Sequence, residues 1–278
     1  MKDAMSWQIF VWISFLLSFN QAISCSLNSS YEYISLSNSV SYLFQELGLL
    51  KDSKWAGASE YHPIDRSEFQ GTIYYGGVYL SIKSLKKFKN KVVFFDQSRD
   101  LEKNLKRAKI EKAIEVNLRL LEPWDALDQS LKLVSPYLKD CDNKIAEIAK
   151  YSSQVQNDLK KLKVLNKRIF FFLGSLKNKK KNSNMMVLND GFVKSLITSD
   201  KILSYPSGLA YFIPSQRILR SYPKSIWIGL SSKIGSGWAI EKTTDRVYSI
   251  ESELMFSAGL GHLKVLKQIL KFFESIKS

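Results

Sequence analysis

The chain has 278 residues, of which 45% are hydrophobic and 13% aromatic, and its formal net charge is +15 at pH 7. This composition excludes a disordered chain, and the length is enough for one large core or two smaller ones. The charge favours acidic partners, but Lys and Arg are spread along the sequence, and the densest run, residues 177–181, is typical of a solvated loop. We therefore expect no nucleic-acid partner.

The N-terminus predicts export. Residues 7–19 are mostly apolar and too few to span a bilayer, which suits the central part of a signal peptide. Ala22 and Ser24 then supply small residues for cleavage before Cys25. We predict a signal peptide over residues 1–24 and a periplasmic protein, held at the membrane at most by its N-terminus.

Cys25 leaves three alternatives open. It is a candidate for lipidation, it is a free thiol, or it forms a disulfide with Cys141, the only other cysteine. Two cysteines this far apart give neither a metal-site spacing nor a CxxC redox motif.

Strands and helices alternate along the first half of the mature chain. For example, residues 37–39 form an N-cap cluster before a helical pattern, and Gly48 follows that pattern as a C′ glycine. The predicted strands are 31–36, 55–59, 92–95 and 113–118, and the predicted helices are 40–47, 81–88, 102–109 and 124–134.

Residues 135–165 show the longest helical pattern. Ser135 suits the N-cap and Pro136 the first helical position, and apolar residues then recur every three or four residues. Such a helix spans roughly 45 Å, which favours a connection between two lobes. An ordinary surface helix of one domain is the alternative.

The alternation resumes after this helix. Strands are predicted at 168–173, 225–230 and 247–250, and helices at 191–198, 215–221 and 260–276. We therefore predict an α/β protein with two Rossmann-like lobes (25–134 and 166–278), mainly parallel sheets, one long linking helix (135–165) and a ligand cleft between the lobes.

Several segments, in the right order, resemble periplasmic substrate-binding proteins of the helical-backbone class. Residues 33–49 are similar to the opening "ISLSPSVTE…LFALGL" of that family, 59–63 to its "T-x-Y-x-x-P" loop, and 75–79 to its "VGGY" turn. Residues 88–95 and 213–228 resemble two further segments. The resemblance implies capture of cobalamin, a ferric siderophore or haem for an ABC importer.

Two positions depart from this family. Glutamates that dock on the permease are replaced by Lys83 and Gln216, and a cation facing a cation opposes docking. The alternative function is therefore an envelope scaffold or interaction protein that keeps the fold without serving a transporter.

The candidate ligand site is an aromatic-lined cleft. Flat rings suit a large conjugated or macrocyclic ligand. The candidates are Tyr61, Tyr79 and Phe95 in the first lobe and Tyr211, Phe212, Trp238 and Phe256 in the second.

Only two histidines, His62 and His262, are present, which excludes a His-rich metal site. His62 lies in a loop at a predicted strand end, where an axial ligand to haem iron or cobalt is a further hypothesis. No catalytic or nucleotide-binding motif occurs, so we predict a monomeric binding protein that is not an enzyme and has no resident cofactor.

Overall fold

The computed structural model describes residues 25–75, 80–118, 120–161, 169–173, 184–187, 211–214, 226–231, 238–244 and 247–275. The predicted signal peptide lies outside these residues. The first half of the chain contains β1 (Ser26–Leu27), β2 (Glu32–Leu36), α1 (Asn38–Glu46), β3 (Trp55–Ser59), β4 (Thr72–Tyr74), α2 (Ile82–Leu85), β5 (Lys91–Asp96), α3 (Arg99–Arg107), β6 (Lys112–Val116), α4 (Pro123–Val134), β7 (Leu138–Lys139) and α5 (Asp142–Lys161). The second half contains β8 (Ile169–Leu173), β9 (Asn184–Val187), β10 (Tyr211–Pro214), β11 (Ile226–Ser231), β12 (Trp238–Thr244), β13 (Val247–Ser252) and α6 (Leu260–Ser275).

The first sheet has five strands in the order β4-β3-β2-β5-β6, and every neighbouring pair is parallel. The chain enters at the central strand β2, moves outward to β3 and β4, and then crosses to β5 and β6. This reversal lies between β2 and β5, and in open parallel sheets ligands bind outside the carboxyl ends of the strands at such a point.

Helices cover both faces of this sheet because its central strands are apolar on both sides. In β5, Val92 and Phe94 lie on one face, and Val93 and Phe95 lie on the other, as the two-residue period of a strand requires. The first face packs against α1, α4, α5 and α6, and the second packs against α2 and α3. Mainly parallel α/β structure is thereby confirmed.

The C-terminal helix α6 completes the core of the first sheet. Leu263 and Leu266 are fully buried in the same cluster as residues of α1, α4 and α5. Lys264 also forms a salt bridge with Glu46 of α1, at 2.6 Å. The predicted division of the chain groups this helix with the second lobe (166–278), whereas its packing groups it with the first sheet.

The central helix α5 begins at Asp142, so its predicted start at Ser135 is wrong. Residues Ser135–Tyr137 form a short 3₁₀ turn, and β7 then runs extended and pairs with β1. Asp140 has a φ of 58°, which breaks any continuous helix at this point. Residues 162–165 of the predicted helix lie outside the described part of the chain. In the described ranges, no helix combines the length and apolarity needed to cross a membrane.

A second sheet has the order β12-β13-β11-β8. Strands β8, β11 and β13 are parallel, and β12 is an antiparallel edge strand. Strands β9 and β10 form a separate antiparallel pair. The strands β1, β4, β7, β9, β10 and β12 were not predicted, and the predicted helices 191–198 and 215–221 lie outside the described residues.

Candidate ligand-binding site

The large exposed hydrophobic side chains of the described residues all follow the carboxyl ends of strands of the first sheet. They are Tyr61, Tyr75 and Leu120, which are 53%, 72% and 59% exposed. Each follows the carboxyl end of a strand, β3, β4 and β6 respectively. We call these three residues the apolar rim. Tyr61 and Tyr75 follow adjacent strands, whereas Leu120 follows the strand at the other side of the sheet, so the two tyrosines are the pair that marks a candidate binding surface.

The two tyrosines of the apolar rim follow neighbouring strands in register. Ser59 of β3 lies opposite Tyr74 of β4, and the Glu60 N–H donates to the Tyr74 carbonyl at 3.0 Å. Tyr61 and Tyr75 therefore leave the sheet at the same level, on adjacent strands. This arrangement places two aromatic rings at one end of the sheet.

The loop that carries Tyr61 is held by its own polar groups. The Arg66 guanidinium donates to the Glu60 carbonyl, and the Asp65 carboxylate accepts from Ser67. The Asp65 N–H donates to the Gln45 side-chain oxygen of α1 at 2.7 Å. These contacts fix the loop against the helix that follows β2.

His62 is buried beneath this loop and is only 3% exposed. Its Nδ1 faces the Ser41 hydroxyl and accepts from the Ser59 N–H at 3.3 Å. The Ser41 hydroxyl also lies 2.7 Å from that of Ser35. The side chain thus joins α1 to the ends of β2 and β3.

Burial lowers the pKa of His62 to about 3, against a partly opposing hydrogen bond to the Leu36 backbone. The imidazole is therefore neutral at neutral pH. A ring buried among Ser41, Ser59 and the Leu36 backbone presents no face to a ligand outside the protein. Its position favours a structural role over the hypothesis of an axial ligand.

A carboxylate occupies the reversal point between β2 and β5. The Asn38 N–H, at the start of α1, donates to Asp96 at 3.3 Å, and Ser37 also hydrogen-bonds this carboxylate. Burial is the larger influence and raises the pKa of Asp96 to about 6. Because Asp96 already satisfies the helix N-terminus, an anionic group of a ligand gains little there.

The remaining predicted site residues are distributed differently. Phe95 is 2% exposed and packs in the core on the α2 and α3 face, so its ring is not at the surface. Tyr211 and Phe212 pair with β9, Trp238 begins β12, and Phe256 ends the turn after β13, but their side chains lie outside the described part. Tyr79 and Gln216 also lie outside it, whereas Lys83 is exposed on α2.

Cys25 forms a disulfide with Cys141 at the start of α5. Beside it, β1 pairs with β7, and the Leu27 N–H donates to Asp52 at 2.7 Å. The structure therefore supports the disulfide among the three alternatives, because the Cys25 sulfur that lipidation requires is already bonded.

Sequence reasoning missed two residues of the apolar rim. Tyr75 stands in the glycine-rich segment 75–79, but the strand before it, β4, has only three residues and was not predicted. Leu120 lies in the connection between a predicted strand and a predicted helix. This connection begins at the carboxyl end of the strand. In the described residues, no group of three or more His, Cys, Asp or Glu side chains is placed to hold a metal ion.

Solved structures with similar folds include two-lobe periplasmic binding proteins. The haem-binding protein HutB of Vibrio cholerae is 14% identical, with a TM-score of 0.60 over 88% of this chain and 99% of its own. IsdE of S. aureus complexed with haem is 12% identical, with a TM-score of 0.60 over 88% and 99%. A TroA-like periplasmic binding protein from Xylanimonas cellulosilytica is 11% identical, with a TM-score of 0.61 over 88% and 90%.

The chain therefore has the fold of the two-lobe periplasmic binding proteins of ABC transport systems. The resemblance suggested by the sequence is confirmed for the fold. No protein-family profile matches the sequence, and no curated protein is significantly similar to it.

Proposed function

We propose that the protein is an extracytoplasmic solute-binding protein that captures a bulky ligand at the carboxyl edge of the first sheet. The tyrosines of the apolar rim carry this proposal, because Tyr61 and Tyr75 are exposed after neighbouring strands at the carboxyl ends, where open α/β sheets bind their ligands. The shared fold supports the class of protein. The second lobe supplies the other wall, with Tyr211, Phe212, Trp238 and Phe256 as its candidates.

The ligand class is large, flat and conjugated or macrocyclic: haem, cobalamin or a ferric siderophore. Two neighbouring rings give such a ligand stacking and apolar burial without a buried charge. The names of HutB and IsdE describe haem binding by those proteins, which makes haem the first ligand to test. Delivery to an ABC permease completes the proposal.

The test is to titrate a protein comprising residues 25–278 with haem, cobalamin and a ferric siderophore. Binding is monitored by tryptophan fluorescence and by the absorbance of the ligand. We expect saturable binding of one ligand at micromolar or lower concentration. Tyr61→Ala and Tyr75→Ala should each weaken it by about 5- to 150-fold, as for truncation of a stacked anchor. Tyr31→Ala is the matched control, because Tyr31 is half-buried at the opposite edge, beneath Lys112.

Phenylalanine variants separate the two possible contributions of each tyrosine. Tyr61→Phe and Tyr75→Phe keep the ring face and remove the phenol oxygen, which is a known ligand of haem iron. If both variants keep the affinity of the native chain, the rings act by stacking alone. If one variant loses affinity, the phenol oxygen of that tyrosine is identified as a ligand of the iron. If no ligand binds, the proposed function is wrong and the alternative of an envelope interaction protein is favoured.

A further inference from the structure

Positive charge in the first half of the chain is concentrated in one layer. Residues 81–111 carry ten Lys and Arg against four Asp and Glu, a net charge of +6. Residues 25–80 and 112–161 together carry eleven against fourteen, a net charge of −3. The fold places these cations on one side of the first sheet, because α2 and α3 pack on the same face of it.

The cations of this layer point away from the sheet. In α3, Leu101 and Leu105 are buried, and Arg99 and Lys103 lie on the opposite stripe of the helix. Leu85 of α2 is buried in the same core. We define the basic layer by six exposed residues that share these two helices and the turn after α2: Lys83, Lys86, Lys87, Arg99, Lys103 and Arg107.

Nothing in the described part of the chain neutralises the basic layer. Lys106, beside it on α3, forms a salt bridge with Glu102 at 2.5 Å, but none of the six defining residues has a carboxylate partner within the described ranges. On the opposite face of the sheet, by contrast, the five lysines of α4 and α5 are balanced by five Asp and Glu, and Lys144 pairs with Glu147 at 3.0 Å. The basic layer therefore presents uncompensated charge to a partner.

We propose that the basic layer binds an anionic lipid surface. Lysine-rich segments are attracted to anionic headgroups through charge density alone, without shape complementarity. A protein interface of comparable strength needs aromatic or apolar anchors, and lysine is depleted in such interfaces. The large exposed hydrophobic side chains of the described residues, Tyr61, Tyr75 and Leu120, are all at the carboxyl edge and not on this layer.

The experiment compares two triple variants of residues 25–278 that remove the same charge. The test variant is Lys87→Gln/Arg99→Gln/Lys103→Gln. The matched control is K132Q/K150Q/K160Q, which removes three exposed lysines of α4 and α5 on the other face. Sedimentation measures binding to phosphatidylcholine vesicles with and without phosphatidylglycerol, and polyglutamate serves as an acidic polypeptide probe.

We expect binding only to vesicles that contain phosphatidylglycerol, with screening by salt. Each cation near the surface contributes about fivefold, so the test variant should lose about 100-fold and the control less than about 10-fold. Equal losses in both variants would overturn the proposal, because binding would follow net charge alone. Absence of binding to any vesicle would also overturn it. If the test variant weakens binding to polyglutamate but not to vesicles, the proposal is likewise overturned, and the basic layer is assigned to an acidic protein partner. Neither variant alters the apolar rim, so solute binding is an independent measurement.

Discussion

The buried polar groups at the carboxyl edge make opposite contributions to stability as the pH changes. His62 has a pKa of about 3 in the folded chain and about 6.5 when unfolded, so the unfolded state binds more protons between these values. Stability is therefore lost as the pH falls. From about pH 7.5 to about pH 5 the loss from His62 is about 2 kcal/mol.

Asp96 acts in the other direction. Its pKa is about 6 in the folded chain against 3.8 ordinarily, so the folded state takes up the proton first and gains stability as the pH falls. The gain over the same interval is about 1.4 kcal/mol. These two groups together should therefore lower the free energy of unfolding of the native chain by only about 0.6 kcal/mol over this interval.

Two variants separate these contributions. Asp96→Asn should expose the full loss of about 2 kcal/mol between the two pH values, whereas His62→Gln should gain about 1.4 kcal/mol. Urea denaturation followed by circular dichroism gives the free energy of unfolding at each pH, and each variant is compared with itself. If the native chain and His62→Gln have the same pH dependence, the neutral buried imidazole is refuted.

Three further predictions concern the framework. Cys25→Ala/Cys141→Ala should lower the free energy of unfolding by about 4 to 5 kcal/mol, because the disulfide closes a loop with a sequence separation of 116. Leu266→Ala should cost about 2 to 5 kcal/mol, since the residue is fully buried in α6. Lys109→Gly should stabilise by about 1 kcal/mol, because Lys109 ends α3 with a φ of 58°.

Matched controls make these three predictions refutable by urea denaturation. Reduction of the native chain should reproduce the cysteine double variant, and an unchanged unfolding midpoint in both would contradict the disulfide. Lys271→Ala alters an exposed residue of α6, and an equal loss in it and Leu266→Ala would contradict the packing of that helix. Gly48→Ala should destabilise at a φ of 83°, the reverse of Lys109→Gly.

The longest elements of the first sheet were predictable because their residues repeat with the period of the structure. Leu101 and Leu105 mark one face of a helix, and the run from Val92 to Phe95 is that of a strand buried on both sides. The start of α5 was not predictable in this way. Ser135 and Pro136 have the chemistry of a helix start, but pairing of β7 with the remote β1 keeps the following residues extended.

The candidate site was predicted less well than the fold, because exposure depends on distant residues. His62 and Phe95 both stand at strand ends, yet Ser41 and Ser35 enclose the first and the α2 and α3 core encloses the second. Tyr61 was predicted and is exposed. Tyr75 was not predicted as a site residue, because a strand of three residues carries too short a pattern to recognise.

The return of α6 to the first sheet affects how the chain can fold during synthesis. Roughly 100 residues separate Leu159, the last buried residue of α5, from Leu260, the first of α6. At about 5 to 20 residues per second, the apolar surface that α6 covers stays open for roughly 5 to 20 s after α5 has emerged. For the exported protein proposed above, a first sheet that waits for its last helix would favour a chain that is still unfolded when translocation begins.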